Sequence, residues 1–528
     1  MVCLNLIWRS NLEVFSLTVT ANLRLLGFAP NLLELVLPIS FKIAYTKVSF
    51  MSRFYVTTPI YYVNDKPHLG HAYTTLAADV LARWHRQRGD DVFFLTGTDE
   101  HGAKVQQSAE AAGLTPQALA DQNAQKFKDA WSALNISYDY FIRTSQAEHE
   151  VVVRELLQRV YDAGYIYSGE YEGLYCVGCE KFMPDGELVN GRCPLHPNQD
   201  PVAQKEKNYF FKLSAFRDKL LTKLEAGEYK VIPEGRYNEV VGKLKQGLED
   251  ISISRNSVEW GVRVPWDESQ TIYVWIDALI NYYSATQFVP GKKEFWPADV
   301  HLLAKDILWF HAVIWEALLL AAELPLPKVV ASHGFFTIDG QKMSKSLGNV
   351  IDPLDLIKEF GLEATRYLLL SQVPFTIDGD ISLARFRERY ESDLANGLGN
   401  TFSRVTDMIE KFGNGNFTAQ PGVITYTEST SSAVENALRL FEFDTALLAI
   451  FDIIRTIDGE IEKYKPWNMV KLDKSQEIQP LLNRWGTMLL DVSLYIKPFM
   501  PETAHNIEQG LRADKVLKTT PLFPRLSS

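Results

Sequence analysis

From residue 53 onward, apolar positions alternate between two rhythms. Short apolar runs at residues 54–58 and 92–95 have the length of buried strands, and 138–143 reads as a third. Between the first two, residues 70–88 place Leu76, Val80, Leu81 and Trp84 on one helical face. Two more helical patterns precede 138, the second opening with Pro116 in its first turn. Near Tyr165 the rhythm breaks into short strands, glycines and cysteines. It resumes with expected strands at 271–275, 301–303 and 328–332 and helices at 277–287 and 306–323. After about Ser382 only helical patterns remain, with breaks at 413–422 and near Pro480. The fold class predicted is α/β. A doubly wound, Rossmann-like domain (51–164 and 241–382) is interrupted by an inserted module (165–240) and followed by an all-α bundle (383–528).

The first fifty residues fit neither rhythm. They carry a broken apolar patch near Leu32 to Phe41, and Met51 stands just before the first clear strand. An upstream region read from a wrong start, an organelle transit peptide and a structured extension all remain open. The first is preferred, because transit peptides are poor in acids and rich in serine and arginine. This stretch has two glutamates, four serines and two arginines. The placement expected is therefore bacterial cytoplasm, with an organelle matrix or stroma as the alternative.

Composition narrows the class. The 528 residues are 46% hydrophobic and 23% charged, with no apolar run long enough to span a bilayer. The net charge of −11 argues against a protein coated by nucleic acid through bulk charge. A nucleic-acid partner would need a local basic surface.

Two segments carry phosphate chemistry. HLGH, residues 68–71, follows the first strand and opens the first helix, where unpaired N–H groups attract anions. His68 and His71, three apart, share a helical face, and imidazoles there can donate to phosphate oxygens. Gly70 would let a nucleotide approach the backbone. About 270 residues later, KMSKS at 342–346 offers Lys342, Lys345 and two hydroxyls on a glycine-flanked loop, cations suited to a departing pyrophosphate. Taken alone, HLGH could be two histidines capping a helix, and KMSKS a solvated basic loop. No Walker A segment is present.

Cysteine usage adds a metal. Cys176, Cys179, Cys193 and His196 follow the pattern C-x2-C, thirteen residues, C-x2-H. That spacing predicts one tetrahedral structural Zn2+ rather than disulfides, with no open position for catalysis.

HLGH and KMSKS in this order resemble the two signatures of class I aminoacyl-tRNA synthetases. The stretches TTPIYYVNDKPHLGHAYTT, TGTDEHG, YVWIDALINY, KDILWFH and KMSKSLGN, with the single knuckle, resemble the methionyl-tRNA synthetase family of the one-zinc bacterial type over about 53–525. The resemblance implies ATP-dependent activation of L-methionine with Mg2+, then transfer to the terminal adenosine of tRNA(Met). It implies catalytic roles for His68, His71, Lys342 and Lys345, and ATP contacts from Gly70 and Asp306. Ala304 precedes Lys305-Asp306 where relatives commonly carry glycine, and its methyl could crowd the ribose. Ile60 and Tyr62 would line a methionine pocket with Trp275, Ala278 and Tyr282 on a second wall. Ile307, Phe310 and His311 would form a third, and Asp99 would pair with the ammonium. An aromatic slot suits a flexible, polarizable thioether. Homocysteine, one methyl short, is the hard competitor, because one methylene is worth only about 1–3 kcal/mol. The family removes it by cyclising its adenylate. In the bundle, Asn400, Arg404 and Trp467 would read the anticodon by hydrogen bonds and stacking. A monomer is expected, without an appended oligonucleotide-binding domain. Two rivals are another nucleotidyltransferase with an H-x-G-H tag and a tRNA-binding paralogue without catalysis.

Overall fold

The computed structural model describes residues 52–526 except 65, 177–180, 184–187, 195–198, 339, 343–350, 421–424 and 473–474. Its centre is a parallel sheet. Strand β1 (Arg53–Tyr62) is followed by helix α1 (Leu69–Gln87) and β2 (Asp91–Asp99). Helices α2 (Ala103–Ala112) and α3 (Pro116–Ala133) lead to β3 (Tyr140–Arg143) and α4 (Ala147–Asp162). The inserted module follows, with β4 (Ile166–Cys176), β5 (Lys181–Met183) and β6 (Val202–Phe211) paired antiparallel.

After α5 (Arg217–Glu225), β7 (Lys230–Ile232) returns to the main sheet although it lies in the span expected for the insertion. Helix α6 (Glu234–Gln246) and β8 (Ile251–Ser252) follow, and β8 extends the module's sheet. Strands β9 (Ser254–Arg255), β10 (Arg263–Val264) and β11 (Asp267–Ile272) make a separate antiparallel sheet. The strand expected at 271–275 is thus corrected. Its first residues belong to β11, outside the parallel sheet, and Val274 and Trp275 already open α7 (Val274–Phe288). An apolar run that short cannot distinguish a strand from the first turn of a buried helix.

Strand β12 (Val300–Ala304), helix α8 (Glu316–Ala321) and β13 (Val329–His333) complete the core, in the order β3-β2-β1-β12-β13-β7. The helix expected at 306–323 begins as a 3-10 turn and passes through a π-helical segment, Phe310–Trp315, before α8. From His311 to Leu319 every residue is buried, so the segment reads as one long apolar helix in sequence.

Alternation along β1 divides the core. Phe54 and Val56 face α1 and a cluster that continues into the helical region, while Tyr55 faces α7 and α8. A third small sheet, β14 (Phe336–Ile338), β15 (Gln341–Lys342) and β16 (Gly379–Ile381), lies around α9 (Pro353–Phe360) and α10 (Leu362–Ser371) in sequence. Beyond Ile381 the described residues form helices. These include α11 (Leu383–Arg389), α12 (Asn400–Gly413), α13 (Thr425–Arg439), α14 (Phe443–Tyr464), α15 (Pro466–Lys471), α16 (Ile478–Ile496) and α17 (Pro501–Arg512).

One buried ion pair ties the helical region to the sheet. Arg366 of α10 is fully buried and donates to Asp79 of α1 at 2.7 Å. Its remaining donors reach the carbonyls of Leu134, Pro498 and Phe499. A guanidinium with its N–H groups satisfied in this way holds three segments at once. Burial pushes the Asp79 carboxyl up, but the Arg366 and Arg83 guanidiniums more than offset this and hold it low.

Candidate active site

The strand order reverses between β1 and β12, so the crevice at their carboxyl ends is where a ligand of an open α/β sheet binds. Ile60, Tyr62, HLGH, Asp99, Asp306, Ile307, Phe310 and His311 lie at or just beyond the carboxyl ends of β1, β2 and β12, whereas Trp275, Ala278 and Tyr282 come from α7, which follows β11 of a separate sheet.

HLGH begins α1 as an imidazole capping box. The Gly70 N–H donates to His68 Nδ1 at 3.1 Å, and the His68 N–H donates to His71 Nδ1 at 3.3 Å. The two rings stack at 3.7 Å. Because both Nδ1 atoms accept, each neutral ring carries its proton on Nε2, available to a phosphate oxygen. Burial lowers the affinity of both rings for a second proton, and His68 lowers that of His71 further. The capping and functional readings of these histidines are therefore the same geometry. Gly70 has a local reason to be glycine: a Cβ there would lie 3.0 Å from the His68 ring. Tyr61 braces His71 from below, its ring 4.7 Å away and its hydroxyl on Thr75 at 2.8 Å.

The described residues flanking the second tag lead back to the first. The β14–β15 hairpin turns at Gly340 (φ +75°) and is anchored by Asp380, which accepts from the Gly340 N–H at 2.6 Å and the Thr337 hydroxyl at 2.8 Å. The Lys342 backbone lies in β15. Its side chain, and Lys345 with residues 343–350, lie outside the described residues. The chain re-emerges at Ile351, whose carbonyl accepts the Leu69 N–H at 3.3 Å. Asp352 then pairs with Lys66 at 2.8 Å while capping α9. Ile351, the first described residue after the second tag, thus meets the first tag, from which it is far in sequence.

The methionine-pocket candidates come together around the π-helical segment. Trp275 stacks on Phe310 at 4.1 Å and meets Tyr62 edge-on at 6.2 Å. Ile60, Tyr62, Trp275, Ile307 and Phe310 are half-buried against one cluster that includes Tyr282. His311 is fixed in one tautomer. Its Nδ1–H donates to the Ile307 carbonyl at 3.0 Å, so Nε2 must accept from the Tyr282 hydroxyl, 2.7 Å away. Burial holds His311 neutral, down to about 4. Burial raises the Tyr282 hydroxyl, and the nearby Asp99 carboxylate at the end of β2 adds to this. Ala278 is buried on α7. Asp306 is exposed in the 3-10 turn after β12, and Ala304 has an ordinary extended backbone (φ −81°, ψ 153°) that does not require glycine.

Sequence reasoning missed a supporting layer. His301 in β12 lies beneath Tyr282, accepting from the Trp315 indole at Nε2 and donating to Thr57 through Nδ1 at 2.8 Å. A histidine within an apolar strand was the signal.

Two of the four proposed zinc ligands are described. Cys176 ends β4 and faces Lys181 across the β4–β5 pair; Cys193 follows a tight turn closed by a bridge between Val189 and Arg192. Both are buried, at 2% and 1% exposure, and share one cluster with Met183. Two buried thiols brought together from separate turns suit a thiolate-bound metal. Cys179 and His196 lie outside the described residues, among which no group of three metal-binding side chains occurs.

In the helical region Asn400 and Arg404 stand one turn apart on α12. Arg404 pairs with Glu462 of α14 at 2.8 Å. Helix α14 ends at the left-handed Lys465 (φ 49°), and Trp467 follows on α15, 39% exposed. Among the described residues no helix is long and apolar enough to cross a membrane.

The chain is similar to known proteins in sequence and fold. The family described as tRNA synthetases class I (M) matches residues 54–201 and 195–406. The chain is 44% identical over 487 residues to a methionine–tRNA ligase of Streptomyces coelicolor, covering 88% of this chain and 90% of that one. A methionine–tRNA ligase of a Nostoc species is 41% identical, with 87% and 89% covered. Among solved structures, the Mycobacterium tuberculosis methionyl-tRNA synthetase in complex with methionyl-adenylate superposes with a TM-score of 0.83 and 36% identity, covering 90% of this chain and 100% of that one.

Proposed function

The chain belongs to the methionyl-tRNA synthetase family of class I, and on that premise we propose how its residues divide the work of a methionine–tRNA ligase. In the first step a methionine carboxylate oxygen attacks the α-phosphorus of ATP. Pyrophosphate leaves with the electrons of the broken bond, and methionyl-adenylate remains. In the second, the methionyl group passes to the 3′ terminal adenosine of tRNA(Met), releasing AMP.

His68 and His71 stabilise the triphosphate in the first transition state through neutral Nε2–H donors, so they add hydrogen bonds without needing a proton from solvent. Lys342 and Lys345 supply the cations for the leaving pyrophosphate, and Gly70 and Asp306 complete the nucleotide contacts. Magnesium arriving with ATP would neutralise part of the triphosphate charge. Asp99 pairs with the substrate ammonium. The thioether rests among Ile60, Tyr62, Trp275, Ala278, Ile307 and Phe310. Tyr282 and His311, locked to each other, keep that end of the pocket from presenting a loose polar group.

A zinc ion held by Cys176, Cys179, Cys193 and His196 would stabilise the module; four protein ligands leave it no catalytic position. Asn400, Arg404 and Trp467 form the anticodon surface, with the exposed indole available for stacking. The protein acts as a monomer in the cytoplasm.

The observation that carries this reading is the hydrogen bond from Leu69, inside the first tag, to Ile351, just beyond the second. The test is amino-acid-dependent ATP–pyrophosphate exchange with a chain starting at Met51 and a panel of methionine, leucine, isoleucine, valine, cysteine and homocysteine. Strong exchange with methionine is expected. Exchange with a different amino acid would overturn the pocket assignment, and tRNA binding without any exchange would replace catalysis by a binding role.

A further inference from the structure

A buried chain of four polar side chains lies behind the methionine pocket and takes no part in the division of labour above. Asp277, on the first turn of α7, accepts from His101 Nδ1 at 2.7 Å with one carboxylate oxygen. The other oxygen accepts from His149 Nε2 at 3.0 Å. His149 Nδ1 lies 2.7 Å from the Ser284 hydroxyl. All four residues are buried. At the far end, His101 Nε2 faces the half-exposed Glu150 at 3.9 Å, and the Trp260 ring meets the imidazole edge-on.

The placement of these residues is specific. On α7, Trp275, Ala278 and Tyr282 share one face, while Asp277 and Ser284, seven apart, share the opposite one. One face of the helix therefore lines the pocket and the other is anchored. The anchor runs to His101, two residues beyond Asp99 in the loop after β2, and to His149 near the start of α4. The Asp99 loop and the α7 wall are separate elements, joined here through a single carboxylate.

A buried charge of this kind is costly unless paired, and an apolar pair of similar size would hold the fold as well. Its cost is offset locally. Burial pushes the Asp277 carboxyl up, but the two imidazoles outweigh this and hold it down to about 2. His101 is correspondingly raised: burial works against its charged form and Asp277 prevails. A carboxylate gripped from both sides fixes direction as well as distance, which packing alone does poorly.

We propose that His101, Asp277 and His149 form a brace that sets the spacing between the Asp99 loop and the α7 wall, making them positioning residues for methionine. The proposal rests on the methionine-pocket reading above. Among the described contacts, those of the brace and those of His68 and His71 share no partner, so loosening it should weaken the hold on methionine and leave ATP little affected.

The experiment is pyrophosphate exchange by the full chain and its Asp277→Asn variant, varying methionine and ATP separately. The variant keeps the shape of the side chain and removes its charge. Its KM for methionine is expected to rise about 10- to 100-fold, with the KM for ATP moving less than about 3-fold. Ser284→Ala, at the far end of the chain, serves if Asp277→Asn does not fold. It should show the same split at about 2- to 5-fold. Folded variants with both KM values unchanged, or with both rising together as the melting temperature falls, would reduce the brace to fold support and overturn the proposal. Methionine-dependent exchange by the unaltered chain tests the functional reading separately: if that fails, the pocket assignment falls first.

Discussion

A neutral imidazole accepts at one nitrogen and donates at the other, and His68, His71, His311 and His301 use this with different results. In His68 and His71 the accepting Nδ1 closes a helix cap, so the proton is carried on Nε2. In His311 and His301 the Nδ1–H is taken by a carbonyl and a hydroxyl, so Nε2 accepts from Tyr282 and Trp315. Replacing His71 by Ala should cut pyrophosphate exchange about 10²- to 10³-fold, the range for losing one preorganised donor. The lost cap should cost only about 1 kcal/mol of stability. Exchange rates near wild type in a folded His71→Ala protein would remove His71 from the chemistry. HLGH was readable because its spacing and its place after a strand are local facts. The partners of His311 and His301 were not, since Tyr282 lies 29 residues from His311 and Thr57 lies 244 residues from His301.

At the scale of elements, the described residues around the module's cysteines make only a small apolar core. Cys176, Cys193 and Met183 form a small separate cluster joined by Leu188. A cluster of this size gains most from a cross-link, which a metal would supply. Chelation at neutral pH, or Cys193→Ser, should open the module to protease near residues 177–198 before the main domain unfolds. Methionine activation should decline only as that opening proceeds. Activity lost at once, with the protease pattern unchanged, would make the metal a participant in catalysis. The sequence indicated the knuckle from cysteine spacing but not where the module ends. Strand β7 is three residues long, and only its register with β13 assigns it to the main sheet. In the same way, 271–275 has strand-like residues, and packing against α4 decides that Trp275 is helical and faces the pocket.

For the molecule as a whole, buried histidines set the response to acid. His311 and His333 are held down to about 4 by burial, and burial lowers His71 and His301 well below the usual range. Unfolding exposes them to water, where they take up protons near pH 6.5, so between that pH and their folded values the unfolded chain binds more protons. Their contribution is complete above about pH 6.5 and is lost as pH falls. At pH 5 the loss should be about 2 kcal/mol for each of His311 and His333. His101 acts oppositely, because its raised value favours the folded state at low pH, and Asp277 stays ionised throughout. Urea melts at pH 7.5 and pH 5 should show a net fall of several kcal/mol on acidification. A flat profile would mean that these rings titrate freely in the folded protein. The sequence by itself determined the strand–helix rhythm, the helical C-terminal region, the two candidate phosphate tags and the cysteine spacing, because each depends on residues within a turn or two of one another. Only the tertiary structure decided that Leu69 meets Ile351, that one carboxylate joins the Asp99 loop to α7, and that Arg366 binds the helical region to α1. Those are contacts between residues 282, 176 and 287 positions apart, and no local pattern encodes which distant partner a buried polar group will find.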